Sequence, residues 1–321
     1  MKLSFVIPCY RSEHTLDAVC AELTEKMKER PEYYYEIILV NDCSPDHVFS
    51  VMEQLTAVDS HIKAVELAKN MGKHSALMAG FAISTGDYVI CLDDDGQCPV
   101  DQLWALLAPL HQGADVSMAQ YGKKKQSWFK NFGSGMNAWM MTAMLGKPRE
   151  LQFANFAAMK RFVIDEILRY NHPYTYLNGL ILRTTKNIVN VPMEERARTQ
   201  GTSGYTFSKS LKLWINGYTA FSIAPLRLSL WIGCFCLGIA LVFWIAAIIG
   251  GVLRAAGWVW PTIMIGAMCF MGGIVLMAIG LLGEYVGRIY MCINEAPQYV
   301  IRRTLPILES EHNRDEGKKR A

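Results

Sequence analysis

Residues 86–99 read Gly-Asp-Tyr-Val-Ile-Cys-Leu-Asp-Asp-Asp-Gly-Gln-Cys-Pro, a short apolar run ending in three consecutive carboxylates and a turn. Residues 87–93 have the length and the β-branched and aromatic content of a buried strand. Alternate side chains on extended backbone share a face, so Asp93 and Asp95 are expected on one side and Asp94 on the other. Three adjacent negative charges repel one another, and holding them at a strand end costs stability unless a cation neutralises them. Mg²⁺ typically takes one or two carboxylates together with substrate phosphate oxygens. The triplet, with the Gln97 amide and the turn at Pro99, therefore predicts Mg²⁺ or Mn²⁺ held by Asp93, Asp95 and Gln97 and bridging a diphosphate. A solvated acidic loop is the plainer alternative.

Upstream, residues 3–8 (LSFVIP), 36–41 (EIILVN) and 62–67 (IKAVEL) are further short apolar strands. Segments of helical period separate them, and Leu16, Val19, Leu23 and Met27 lie on one face of the first crossover. Strands alternating with helices from Met1 to about Ala119 predict an α/β domain with a doubly wound parallel sheet. Such sheets bind ligands beyond the carboxyl ends of their strands. The first strand ends at Pro8 and is followed by Tyr10 and Glu13, an aromatic face for stacking and a carboxylate for base amides. The second runs into Asn41-Asp42-Cys43-Ser44-Pro45-Asp46, whose short polar side chains suit either a helix cap or a ribose or base contact. After the third, Lys73 and His74 open a helix whose first amides already favour anions, which makes Lys73 a candidate phosphate contact.

Composition points to a membrane. The chain has 321 residues, 51% of them hydrophobic, and net charge +3, with mean hydropathy +0.14. That is too apolar for an ordinary soluble enzyme and offers no strong positive field for nucleic acid. The nine cysteines lack paired zinc spacing and read as reduced thiols. No charge occurs in 228–253 or 258–283, and each run exceeds the about 20 residues that cross a bilayer. The four-residue connector Arg254–Gly257 makes the two helices antiparallel, and Trp231, Trp244, Trp258 and Trp260 edge them. Lys209, Lys212 and Arg227 precede the pair and Arg288, Arg302 and Arg303 follow it, so both termini and the catalytic domain are expected in the cytosol, on the inner membrane. The expected organisation is a catalytic domain over 1–204, a juxtamembrane amphipathic helix over 205–227, two transmembrane helices over 228–283 and a C-terminal tail over 284–321.

Just ahead of the membrane, residues 195–205 carry Arg196 and Arg198 with Ser203 among glycines, a composition that lets charged side chains and backbone amides approach an anion. A phosphate carried on a lipid arrives at that depth.

In this order FVIPCYRSEHTL, EIILVNDCSPD, KNMGKHSALMAGF, GDYVICLDDDGQCP, RARTQGTSGY and LLGEYVGRIY resemble the polyprenyl-phosphate branch of glycosyltransferase family 2. That branch includes dolichol-phosphate mannosyltransferases, bactoprenol glucosyltransferases and undecaprenyl-phosphate aminoarabinose-type transferases. The resemblance spans nearly the whole chain. It implies a Rossmann-like domain of GT-A type, a nucleotide-sugar donor, a polyprenyl phosphate acceptor, and homotetramers; the bacterial look of the chain suggests UDP as the nucleotide. It places Pro8, Tyr10, Glu13 and Asp42 around the nucleotide, Asp93, Asp95 and Gln97 at the metal, and Arg198 and Ser203 at the lipid phosphate. Asp95 and Arg198 are the residues expected to carry catalysis. The chain departs from the pattern at Leu151 and Ala157, where relatives carry Asp and Arg, and at Gly204, where they often carry Lys.

A lipid phosphate already presents an oxygen anion near neutral pH, its second pKa being about 6, so no strong base is required. Single displacement with inversion at the anomeric carbon is the expected course, in service of cell-envelope glycan modification. Two other readings compete: a processive polysaccharide synthase, for which two membrane helices are too few to enclose a channel, and an inactive scaffold, which the intact acidic triplet disfavours.

Overall fold

The computed structural model describes residues 1–122, 142, 148, 150–173, 175–194, 196, 259–293 and 297–306. They fall in two compact units, one of 1–206 with 297–321 and one of 207–296.

The first unit is built on an eight-stranded mixed sheet, order β7-β5-β6-β4-β1-β2-β3-β8. Its strands are β1 (Lys2–Cys9), β2 (Tyr34–Asn41), β3 (Ile62–Leu67), β4 (Tyr88–Cys91), β5 (Val116–Tyr121), β6 (Ala157–Lys160), β7 (Ile188–Met193) and β8 (Ile301–Leu305). β1 to β4 are parallel, as the apolar runs predict. β6 runs antiparallel to both β4 and β5, and β8 antiparallel to β3. The sheet is therefore mixed and reaches well past Ala119.

Helices α1 (Leu16–Lys28), α2 (Val48–Val58) and α4 (Leu103–His111) cover one face, burying Leu16, Val19, Leu23 and Met27 against Leu3, Phe5, Ile7, Ile37 and Leu39. The opposite face takes α3 (Lys73–Ile83), and α5 (Arg161–Leu168) and α6 (Leu177–Thr184) are the further helices among the described residues of this unit. Gly80 sets the approach of α3: a Cβ there would run into Val6 and Val40 side chains, so only glycine lets the helix lie this close to β1 and β2. That packing fixes where Lys73, the first residue of α3, stands.

The edges of the sheet are protected. Pro192 sits in β7 at one edge, where its missing N–H costs no ladder bond. At the other edge β8 exposes Arg302 and Arg303, and Arg303 pairs with Glu66 at 2.8 Å and Glu53 at 3.0 Å. Residues 301–305, which the sequence reading assigns to a C-terminal tail, thus complete the catalytic sheet.

In the second unit α7 (Val259–Ile293) contains a stretch, Phe270–Met291, long and apolar enough to cross a membrane. It continues ten residues beyond Gly283, where the sequence expectation ended the helix at the charge of Glu284; residues 284–293 contain no proline to break it. The other predicted span, 228–253, and the amphipathic segment 205–227 lie outside the described residues.

At the amino ends of the parallel strands, remote from the ligand-binding edge, the buried Glu36 carboxylate accepts from Ser4 Oγ (2.6 Å), the Thr85 amide (2.7 Å), Lys63 Nζ (2.8 Å) and Lys2 Nζ (3.0 Å). Burial raises its pKa, but the bonds from Lys63, Ser4, Thr85 and Lys2 outweigh that and hold it at about 2. A folded-state pKa below the unfolded one contributes stability above pH about 4.5 that is lost as pH falls toward 2. Glu36→Gln is expected to lower stability by about 3 kcal/mol at pH 7. It should also flatten the loss of melting temperature between pH 5 and 3, both read by thermal unfolding of the detergent-solubilised chain.

Candidate active site

β4 stops at Cys91, so the acidic triplet lies in the loop two residues past the strand and not at its last positions. The three carboxylates take different partners. Asp93 Oδ1 pairs with Lys73 Nζ, and its Oδ2 accepts from Asn155 Nδ2 at 2.7 Å. Asp94 turns the other way: its Oδ2 accepts the Tyr10 amide at 3.0 Å, and its carbonyl accepts from Thr15 Oγ1 at 2.6 Å. Asp95 Oδ1 accepts the Gln97 amide at 3.1 Å across Gly96, which takes φ +72. Burial, reinforced by the charge of Asp93, pushes Asp94 up to about 6 against the opposing bond from Tyr10. The middle carboxylate therefore fastens the β1–α1 loop to the acidic loop.

Two carboxylates and an amide oxygen are an all-oxygen donor set that suits Mg²⁺ or Mn²⁺. Among the described residues no three His, Cys, Asp or Glu side chains gather into a closed cage. Cys98, buried and accepting the Asp93 amide at 3.4 Å, has its thiol pKa pushed up to about 12 by burial and is a packing residue.

The loops after β1, β2 and β3 are laced together by residues that the sequence reading assigned to the nucleotide. Pro8 is a buried β1 residue paired with Val40, and Tyr10 is 45% exposed beyond it. Arg11 takes φ +59 and donates its amide to Ser44 Oγ at 2.8 Å. Glu13 accepts the His47 amide at 2.9 Å, the N-cap of α2, while its own amide donates to Asp46 at 3.2 Å. The helix cap expected from Ser44-Pro45-Asp46 is thus supplied by Glu13 from the neighbouring loop. Asp42 accepts the Met71 amide at 2.7 Å and the Gly72 amide at 2.8 Å, with the Asn70 side chain on its carbonyl at 3.1 Å. Burial raises the Asp42 pKa while those two amides pull it back. Lys73, expected at a phosphate, stands on Asp93.

Arg196 donates to Glu22 at 2.7 Å and to Asp101, and its carbonyl accepts from Gln97 Nε2 at 3.4 Å. Its guanidinium thus uses two of its five N–H donors on carboxylates. Arg198 and Ser203 lie outside the described residues. Leu151 and Ala157, the departures from the family pattern, are buried, and Ala157 pairs with Cys91 on β4. Asn155, two residues before Ala157, is the site residue that sequence reasoning missed, because nothing local marks an asparagine as the partner of an aspartate 62 positions away.

Residues 4–168 match the model described as "Glycosyl transferase family 2". The chain belongs to that family. It is 33% identical over 321 residues to the undecaprenyl-phosphate 4-deoxy-4-formamido-L-arabinose transferase of Proteus mirabilis, covering 98% of this chain and 97% of that protein. It is also 33% identical over 317 residues to the protein of the same name from Klebsiella pneumoniae, covering 95% and 94%. Among solved structures, a mycobacterial protein matches with TM-score 0.50 and 16% identity over 68% of this chain and 74% of that one, a likeness of fold. This glycosyltransferase therefore carries its acidic loop on a mixed sheet of GT-A type.

Asp42→Asn is expected to lower thermal stability by about 1–2 kcal/mol, because one of two amide donors then faces an NH₂ group. A side chain reserved for the nucleotide would change affinity and leave melting of the ligand-free protein untouched.

Proposed function

We propose that this glycosyltransferase moves a sugar from a nucleoside diphosphate, UDP, to a polyprenyl phosphate, undecaprenyl phosphate, at the cytoplasmic face of the cell membrane. The observation that carries the reading is the placement of Asp93 and Asp95 beyond the carboxyl ends of parallel strands, with Lys73 on Asp93. It is supported by the near full-length similarity to transferases named for an undecaprenyl phosphate acceptor and by a helix long and apolar enough to span a bilayer. The names of those relatives also make a deoxy-amino pentose a candidate for the sugar.

A divalent cation bound by Asp93, Asp95 and Gln97 would supply charge neutralisation of the diphosphate leaving group. The chain's own residues do the rest. Tyr10, held by Asp94 through its amide, offers a face for the base, and Lys73 is placed to exchange Asp93 for a donor phosphate. The nucleophile needs no deprotonation by the protein, since a lipid phosphate monoester is an anion at pH 7. That agrees with a site in which Asp93 is already engaged by Lys73 and Asn155 and is not poised as a general base. Arg198 and Ser203 are proposed to orient the lipid phosphate, and a one-step displacement inverts the anomeric carbon.

Detergent-purified protein incubated with undecaprenyl phosphate and a panel of UDP-sugars is expected to give one lipid product heavier by a glycosyl residue. Asp95→Ala should lower its rate by more than about 100-fold. Nuclear magnetic resonance of the first-formed product should show the anomeric configuration opposite to that of the donor; retention excludes the mechanism. Full turnover by the Asp95→Ala protein excludes the site.

A further inference from the structure

Behind Asp93, between the start of α3, the strands β4 to β6 and α6, lies a cleft enclosing about 440 Å³, solvent included. Its walls are mostly apolar, with Leu77, Met118, Met159, Leu177 and Ile181 among them. Polar groups reach it at few points. Lys73 and Asn155, at its mouth, are turned onto the two oxygens of Asp93. His74 also lines the cleft, and its Nδ1 is fully buried with no hydrogen-bond partner. The ring is held edge-on against Tyr176, with centroids 5.7 Å apart and planes 75° apart.

A buried polar nitrogen left without a partner costs free energy, and native proteins rarely leave one so unless something else fills the bond. Burial, and then the charge of Lys73, depress the His74 pKa to about 4, so the imidazole is neutral at physiological pH. Its Nδ1 then takes or gives a single hydrogen bond according to tautomer, which suits a hydroxyl or an amide. The cleft opens where Asp93 stands, beside the bond that the proposed reaction breaks.

We propose that this cleft receives the glycosyl group of the donor and that His74 Nδ1 bonds one hydroxyl or amide on its buried edge, which makes His74 a sugar-selecting residue. This deepens the proposed function and rests on it. The selection is physical: a sugar edge with more hydroxyls than His74 Nδ1 and the Asn178 amide can satisfy would bury the surplus against Leu77, Met159 and Ile181 without partners, whereas an edge with few polar groups would not.

The test separates nucleotide from sugar. Dissociation constants are measured with Mn²⁺ on the detergent-solubilised full chain, for UDP, GDP, ADP and dTDP and then for the glucose, N-acetylglucosamine and pentose conjugates of the tightest nucleotide. His74→Ala is expected to weaken the best conjugate about tenfold while the bare nucleotide changes less than about twofold. His74→Asn, which keeps a polar atom near the same place, should recover most of the loss. Ala154→Leu, which fills the cleft from its rim, should produce the same separation, and it carries the test should His74→Ala lose nucleotide binding through misfolding. Equal weakening of conjugate and nucleotide in both His74→Asn and Ala154→Leu, or no weakening of the conjugate in any variant, overturns the inference while leaving the donor reading intact. A wild-type chain that binds none of the four nucleotides sinks both.

Discussion

Three carboxylates in a row at the end of a buried strand are the constraint to which the rest of this domain answers. Unscreened, they would destabilise the fold, and the structure disposes of each differently. Asp93 is held between Lys73 and Asn155. Asp94 is turned into the neighbouring loop, where burial raises its pKa to about 6. Asp95 folds back on the Gln97 amide. The reach of Lys73 depends on α3 lying close to the sheet, which in turn depends on the absence of a side chain at Gly80. A packing requirement in the middle of a helix thus becomes an electrostatic one at its end.

The two ends of the sheet treat charge in opposite ways. Around Glu36 the carboxylate is fully engaged, with two ammonium groups, two hydroxyls and an amide converging on it. Such a cluster is costly to break and has no free bond to offer a ligand. At the carboxyl end the acidic loop carries three carboxylates, with Lys73 paired to one of them, Asp93. Stability is concentrated at one end and binding capacity at the other, as ligand sites on open α/β sheets require.

The parallel core was legible because buried strands leave near-continuous apolar runs, and α1 because Leu16, Val19, Leu23 and Met27 repeat at helical spacing. What the sequence did not reveal is long-range. β6 joins the sheet antiparallel with only Ala-Ala-Met-Lys, too short to carry a period, and β8 is supplied from beyond the long apolar helix α7. In the site the residue types were correctly placed at strand ends, but their partners were not readable. Asp42 holds Met71 and Gly72, Glu13 caps α2, and Arg196 pairs with Glu22 and Asp101, each across loops distant in sequence. Local spacing names a polar residue; only the fold decides which other polar residue it meets.

Those pairings bear on how the donor site holds its shape before a ligand arrives. Tyr10, Arg11 and Glu13 belong to one loop, and their amides are fastened to Asp94, Ser44 and Asp46. Asp42 fastens the start of α3, and so the base of Lys73, to the end of β2. Four loops that would otherwise move independently are tied by charged acceptors on backbone donors, bonds roughly twice as strong as neutral ones. The ordering entropy is met by folding and not by binding, so a donor entering this site has less of it left to lose. The exception is Asp93, whose partners are side chains. Lys73 and Asn155 hold it through side chains, so a change of partner at Asp93 would leave the backbone bonds of these loops undisturbed.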